Sequence, residues 1–222
     1  MEFIGEVFHP LVVFFQGILG FFYSVTAMLG CQNYGIAIIL MTIAIKLCLY
    51  PLTVKQIRSM KAMQEIQPAM KKIQAQYKNN PQMMQQQMAA LYKDAGVNPL
   101  AGCLPLLAQM PILMGIFYAL RDLNYDGGAN FLWLTTLSEP DPMYILPVLS
   151  ALTTFLQQKQ TSANNAANPQ MKMMMLFMPL FIGWISLNFP AGLVIYWVTM
   201  NIMQILQTWW MYRGEEKAKE AA

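Results

Sequence analysis

At 222 residues, with 56% hydrophobic and only 11% charged side chains and a mean hydropathy of +0.38, the chain is too apolar for an ordinary water-soluble domain. Its net charge of +3 is small, and the information lies in its uneven placement, because Lys and Arg set the orientation of a membrane protein. Cys31, Cys48 and Cys103 stand far apart with no CxxC spacing and no partner histidine, so neither a metal site nor a disulfide framework is expected.

Residues 11–29, from Leu-Val-Val-Phe-Phe onward, are the first long apolar stretch. They are long enough to span, but a span there would place the acidic Met1–His9 stretch in the cytoplasm, so a helix lying in the outer interface is expected and residues 1–33 are assigned to it. A cleaved signal peptide fits worse because there is no basic leading region, and Met28-Leu29-Gly30-Cys31 is only loosely similar to a lipoprotein cleavage site. His9, the sole histidine, reads as a surface residue rather than a ligand or catalyst.

The first transmembrane helix falls within residues 34–54, and residues 98–212 hold four more, at about 100–120, 143–158, 173–189 and 191–210. No alternating β pattern competes. The third and fourth are shorter than the roughly 20 residues a hydrocarbon core requires, so a locally thinned bilayer is expected around them. Trp133, Trp184, Tyr196, Trp197, Trp209, Trp210 and Tyr212 read as interfacial anchors or packing residues.

Residues 55–97 read as a helical hairpin. Ile57, Met60, Met63, Ile66, Met70, Ile73 and Tyr77 recur at helical spacing, Asn79-Asn80-Pro81 supplies a turn, and Met84, Met88, Leu91 and Tyr92 form a second stripe. Pro68 predicts a kink or break in the first helix, Gly96 suits the left-handed position after the second, and Asn98-Pro99 restarts the chain. The two stripes are expected to pack on each other; Met60, Met63, Met70, Met84 and Met88 could also adapt to varied apolar clients. Basic residues dominate this segment, including Lys55, Arg58, Lys71 and Lys72, whereas Asp122, Asp126, Glu139 and Asp141 dominate the next loop. That asymmetry makes the hairpin cytoplasmic, the N-terminus external and the tail at 213–222 cytoplasmic. The basic faces suit solvent or anionic lipid better than RNA, and no specific nucleic-acid binding is expected.

Lys46 interrupts an otherwise apolar run. On a straight helix it would lie about 14 Å from Lys55, too deep to snorkel comfortably, and facing lipid would cost about 2.5–3.5 kcal/mol. It is therefore expected to face a hydrated cavity, the alternative being a packing role against backbone carbonyls or a neighbouring helix. Counting inward from the cytoplasmic ends places Gln109, Ser150 and Gln204 near its depth, with Thr42 one turn before it and Thr153, Thr154, Asn201 and Gln207 adding polar atoms. Polarity thus gathers in the inner half of the membrane, as a groove open to the cytoplasm would require, and the 173–189 span contributes little to it.

Tyr50-Pro51-Leu52-Thr53, Gln67-Pro68, Ala90-Leu91-Tyr92-Lys93, Asn98-Pro99-Leu100, Pro105-Leu106-Leu107, Gln109-Met110-Pro111-Ile112 and Phe189-Pro190-Ala191-Gly192-Leu193 resemble, in unbroken order, the YidC family of membrane protein insertases. The resemblance implies an all-α integral membrane protein with five transmembrane helices, a cytoplasmic helical hairpin and a groove that briefly holds incoming polypeptide. It implies newly made membrane proteins and the lipid bilayer as partners, a Sec-type translocon and the ribosome as further ones, and the bacterial plasma membrane as location. Lys46 stands where the family usually carries arginine, keeping the charge but not the planar fork, and the short tail argues against strong ribosome tethering. No cofactor and no catalysis are expected. The competing class is a secondary transporter or channel using Lys46 to bind an anionic solute, disfavoured because no Asp or Glu lies in any span.

Overall fold

Helix breaks fall where the sequence removes a backbone donor or supplies a cap. In a computed structural model the described residues are 2–97, 104–121, 123, 129–161 and 169–220, and among them there are nine helices and no β-strand. Asn98-Pro99, Cys103, Asp122 and Asp126 lie outside the described residues.

The first helix, α1 (Glu2–Met28), is longer than the expected 11–29 stretch. It packs along α2 (Tyr34–Cys48) and α6 (Leu104–Arg121). Phe15 and Leu19 enter the common core, Phe14 and Phe21 stay exposed, and the Tyr23 and Tyr34 rings stack at 3.8 Å. Among the described residues, His9–Met28 is the one stretch that by itself is both long and apolar enough to cross a membrane.

The span expected at 34–53 ends early. Asn33 caps its start, accepting the Ile36 N–H at 3.2 Å, but α2 stops at Cys48 and α3 (Tyr50–Glu65) leaves at 67°. Pro51 explains the break, since it cannot donate to the Leu47 carbonyl and its ring crowds the preceding turn. Pro68 acts similarly, separating α3 from α4 (Gln67–Gln76) at Ile66. Asn80 caps α5 (Pro81–Asp94) by accepting the Met83 N–H at 3.2 Å, with Pro81 in the first turn. Gly96, at φ 63°, ends α5, and the Val97 N–H reaches back to the Tyr92 carbonyl at 2.9 Å.

The remaining helices are α7 (Ile145–Thr161), α8 (Pro169–Ser186) and α9 (Ala191–Glu220). The segment expected as a tail from 213 instead continues α9 as far as Glu220. This helix is the hub, packing on α2 and α7 and more lightly on α6, while α8 packs on α7. On the far side of α7 and α8, Val148, Leu152, Leu176, Phe177, Leu180 and Trp184 are exposed, the surface expected of helices solvated by lipid. A Cβ added at Gly183 would come within 2.9 Å of the Ala151 Cβ, so α7 and α8 meet through small residues. Gly183→Ala should therefore overpack this contact by about 1–3 kcal/mol and lower the unfolding temperature in detergent. Adding Ala151→Gly should restore most of the loss; no recovery in the double variant would place the strain elsewhere.

One loop organises the end of the bundle away from the hairpin. The Glu139 and Leu137 carbonyls accept the Ala191 and Gly192 N–H groups at 2.8 and 3.0 Å, capping α9. Phe131 lies so close to Gly35 that any side chain there would collide with its ring. Asp141, buried to 3% exposure, accepts from Trp133 Nε1 and the Met143 N–H at 2.9 Å each and from the Leu146 N–H at 2.7 Å, fastening the loop to the start of α7.

Candidate functional site: a polar seam on helix α9

Trp197, Asn201, Gln204 and Thr208 recur at helical spacing on α9, so one face of an otherwise apolar helix carries polar atoms. Asn201, Gln204, Gln207 and Thr208 are all buried. Burial of this kind demands partners, and neighbouring helices supply them.

Lys46 Nζ donates to Gln204 Oε1 at 2.8 Å, and Gln207 Nε2 donates to the Lys46 carbonyl at 3.4 Å, joining α2 to α9. Asn201 Nδ2 donates to Thr153 Oγ1 at 3.2 Å and Thr154 Oγ1 at 3.0 Å, and Trp197 Nε1 donates to Thr154 Oγ1 at 3.2 Å, joining α7 to α9. Helices α2 and α7 thus both rest on α9 and make no comparable contact with one another, leaving the polar face between them. Gln207 Oε1 and Thr208 Oγ1 are buried and accept no hydrogen bond among the described residues. A buried water molecule matches what they lack.

The other expected groove residues are placed differently. Thr42 is buried one turn before Lys46, but its hydroxyl donates to the Ile38 carbonyl of its own helix at 2.7 Å. Thr153 likewise donates to the Leu149 carbonyl at 2.8 Å, so toward Asn201 it serves as acceptor. Gln109 Nε2 donates to the Tyr196 hydroxyl at 2.8 Å, joining α6 to α9 rather than meeting Lys46. Ser150 is fully buried and shares a 3.0 Å bond with Ser186 of α8, so the fourth span does contribute a polar partner. Tyr196, Trp197 and Ser186 were not expected to take part; each is an apolar or small residue whose bonding depends on helix rotation, which periodicity alone leaves open.

The depth of Lys46 also needs correction. The straight-helix distance to Lys55 was about 14 Å, but beyond Leu49 the chain advances only about 0.6 Å per residue along the α2 axis, because a 67° bend projects the 1.5 Å rise that far. The depth difference is then about 8 Å. Lys46 sits in the last turn of α2, half-buried, and its bond to Gln204 rather than depth alone holds it off the lipid.

In the hairpin, Met60, Met63, Met70, Met84 and Met88 are all half-buried. Met84 and Met88, with Gln74, Gln85, Ala89 and Tyr92, line a cleft of about 350 Å³ between α4 and α5, and the Tyr92 hydroxyl approaches Met70 Sδ at 4.0 Å. Burial pushes the Tyr92 phenol above its ordinary value. No group of three or more His, Cys, Asp or Glu side chains that could hold a metal occurs among the described residues.

Comparison with known proteins now bears on this geometry. Residues 24–219 match the family model described as 60Kd inner membrane protein. The chain is 48% identical over 187 residues to the membrane protein insertase MisCA of Bacillus subtilis, covering 82% of this chain and 71% of that one. It is 43% identical over 215 residues to the membrane protein insertase YidC of Clostridium perfringens, covering 93% and 90%. Among solved structures, an active YidC insertase crystal structure with its first transmembrane domain resolved matches with a TM-score of 0.68 at 28% identity, over 91% of this chain and 45% of that longer one.

Proposed function

The chain belongs to the 60Kd inner membrane protein family, the family of the YidC insertases, and from that premise we propose that it inserts newly made proteins into the bacterial plasma membrane. The observation that carries the mechanistic reading is the polar seam: several buried amides on α9, joined by a hydrogen bond to the half-buried cation of Lys46 on α2, inside an apolar bundle. The hairpin lies on the cytoplasmic side, the loop at 129–144 on the outer side, and five spans cross between them, formed by α2, α6, α7, α8 and α9. Helix α1 rests in the outer interface against α2 and α6.

An incoming polypeptide brings polar backbone that lipid cannot satisfy. In the seam, the remaining Lys46 N–H donors attract client carboxylates, while Gln204, Asn201, Thr153, Gln207 and Thr208 exchange hydrogen bonds with client backbone and water. Gln109 and Ser150 hold the surrounding helices through the bonds already described, while the Thr42 hydroxyl is engaged within α2. The client's apolar segment then slides along exposed Leu152 and Leu156 of α7 and Ile202 and Leu206 of α9 into lipid. Partitioning drives the step: each Leu, Ile, Phe or Val gains about 0.3–0.6 kcal/mol at the membrane centre, and some 20 such residues suffice without a nucleotide.

The test is a proteoliposome assay with single-span clients. Protease protection of the client's translocated tail supports insertion, whereas flux of an anionic solute with no client protection would replace this reading by a transporter. The Met-lined cleft between α4 and α5 serves client capture, before the seam is engaged. Replacing residues 60–92 by a short flexible linker should slow client recruitment severalfold while the remaining helices still insert and fold. Failure of the shortened chain to accumulate in the membrane would make the hairpin structural instead.

A further inference from the structure

Helix α3 presents two faces of different chemistry. Thr53 and Ile57 are buried on one, and Lys61, one turn on, places Nζ 5.6 Å from the centre of the Tyr212 ring on α9. The opposite face carries Pro51, Lys55 and Arg58, all exposed. Just before them, at the bend, Leu47, Leu49 and Leu52 are exposed as well, an apolar collar leading directly into a pair of cations.

Two independent measures put this face at one level of the bilayer. With α2 along the bilayer normal, the 67° bend means that Lys55 and Arg58 differ in depth by only about 2 Å, so both meet the same layer. Along α9, Tyr212 lies about 32 Å from Ala191, close to the roughly 30 Å thickness of a hydrocarbon core. Beside Tyr212, Trp209 and Trp210 are exposed and the Arg213 guanidinium stacks 4.6 Å from the Trp209 ring, the residues of a membrane–water interface. Collar, cations and aromatic belt coincide.

We propose that Lys55 and Arg58 form a binding site for the phosphate headgroups of anionic phospholipid, holding α3 flat against the membrane and so setting the position of the hairpin. The apolar collar decides for lipid over a soluble anion: Leu47, Leu49 and Leu52 enter the acyl chains of the lipid whose headgroup the cations engage. Along α3 the one acidic residue is Glu65, at its far end. The proposal rests on the bilayer placement used above, though not on which leaflet faces the cytoplasm.

The test uses the full chain in nanodiscs of phosphatidylcholine, alone or mixed with phosphatidylglycerol, so that both leaflets are alike and orientation has no effect. Native mass spectrometry reads which lipid is retained, and hydrogen exchange reads the α3 amides. The wild type should retain phosphatidylglycerol selectively and exchange more slowly when it is present. Each cation near an anionic surface contributes about fivefold, so Lys55→Gln with Arg58→Gln should cut the selection by about thirtyfold. The charge-conserving pair Lys55→Arg with Arg58→Lys should keep it, and Lys71→Gln with Lys72→Gln on α4 should leave it unchanged. Equal retention by the wild type and the Lys55→Gln, Arg58→Gln variant would overturn the site, as would protection of α3 by inorganic phosphate in phosphatidylcholine discs. Loss of client insertion with lipid selection intact would count against the insertase reading alone.

Discussion

Lys46→Glu should abolish most insertion of a client whose translocated tail carries Asp, while a matched client with Asn at the same positions loses far less. The expectation follows from charge at close range. In the partly dehydrated seam a carboxylate near Lys46 is attracted more strongly than in bulk water, and reversing the charge turns attraction into repulsion. Lys46→Ala removes the attraction only and should slow the acidic client by about tenfold, or about 1.4 kcal/mol. Lys46→Arg keeps the cation, adds donors, and should retain activity toward both clients. The 2.8 Å bond to Gln204 supplies the competing account, in which Lys46 is a strut between α2 and α9. A strut predicts damage that ignores client charge, follows thermal stability in detergent, and appears equally in Gln204→Leu. Initial insertion rates for the paired clients, beside unfolding temperatures for all four variants, separate the two. Equal losses for Asp and Asn clients that track lost stability would leave Lys46 with a packing role.

What could be read from the sequence is what is decided within a few residues along the chain. Pro68, Asn80, Pro81 and Gly96 fix breaks and caps through their own backbone chemistry, and each acts where its position predicts. The spacing of Asn201, Gln204 and Thr208 likewise declares a polar face before any neighbour is known. What that face meets is another matter. Asn201 turns to Thr153 and Thr154 and Gln204 to Lys46 because of how α7 and α2 are rotated and tilted, and those choices depend on contacts more than forty residues away in the chain. Ser150, assigned to the groove by counting along its helix, bonds Ser186 for the same reason: such a count gives no direction. Pro51 signals a break but not the 67° that brings Lys46 closer to the surface.

Asp141 was counted in the sequence only as one more acidic residue on the outer side, and the largest loss of stability is expected from removing it. Its carboxylate accepts three hydrogen bonds, from Trp133 Nε1 and the Met143 and Leu146 N–H groups, while almost wholly buried. Asp141→Ala would leave three donors without an acceptor in a site water scarcely reaches, at a cost of about 3 kcal/mol or more, and would also remove the anion at the start of α7. Asp141→Asn keeps one acceptor oxygen and should fall between alanine and wild type. Trp133→Phe removes a single donor and should cost about 1 kcal/mol, with little further loss when combined with Asp141→Ala because the bond is already gone. The consequence should extend to insertion, since the same loop caps α9 through Leu137 and Glu139 and covers Gly35 of α2 with Phe131. The helices that bear the seam are thereby tied together at the ends away from α3–α5, and loosening them should impair acidic and neutral clients alike, unlike the charge-selective loss at Lys46. Unfolding temperatures in detergent and insertion rates for the paired clients test both halves. An unchanged unfolding temperature for Asp141→Ala would show that the loop is not what fastens these helices, and a loss confined to acidic clients would mean that Asp141 acts on the client's charge rather than on the packing of the bundle.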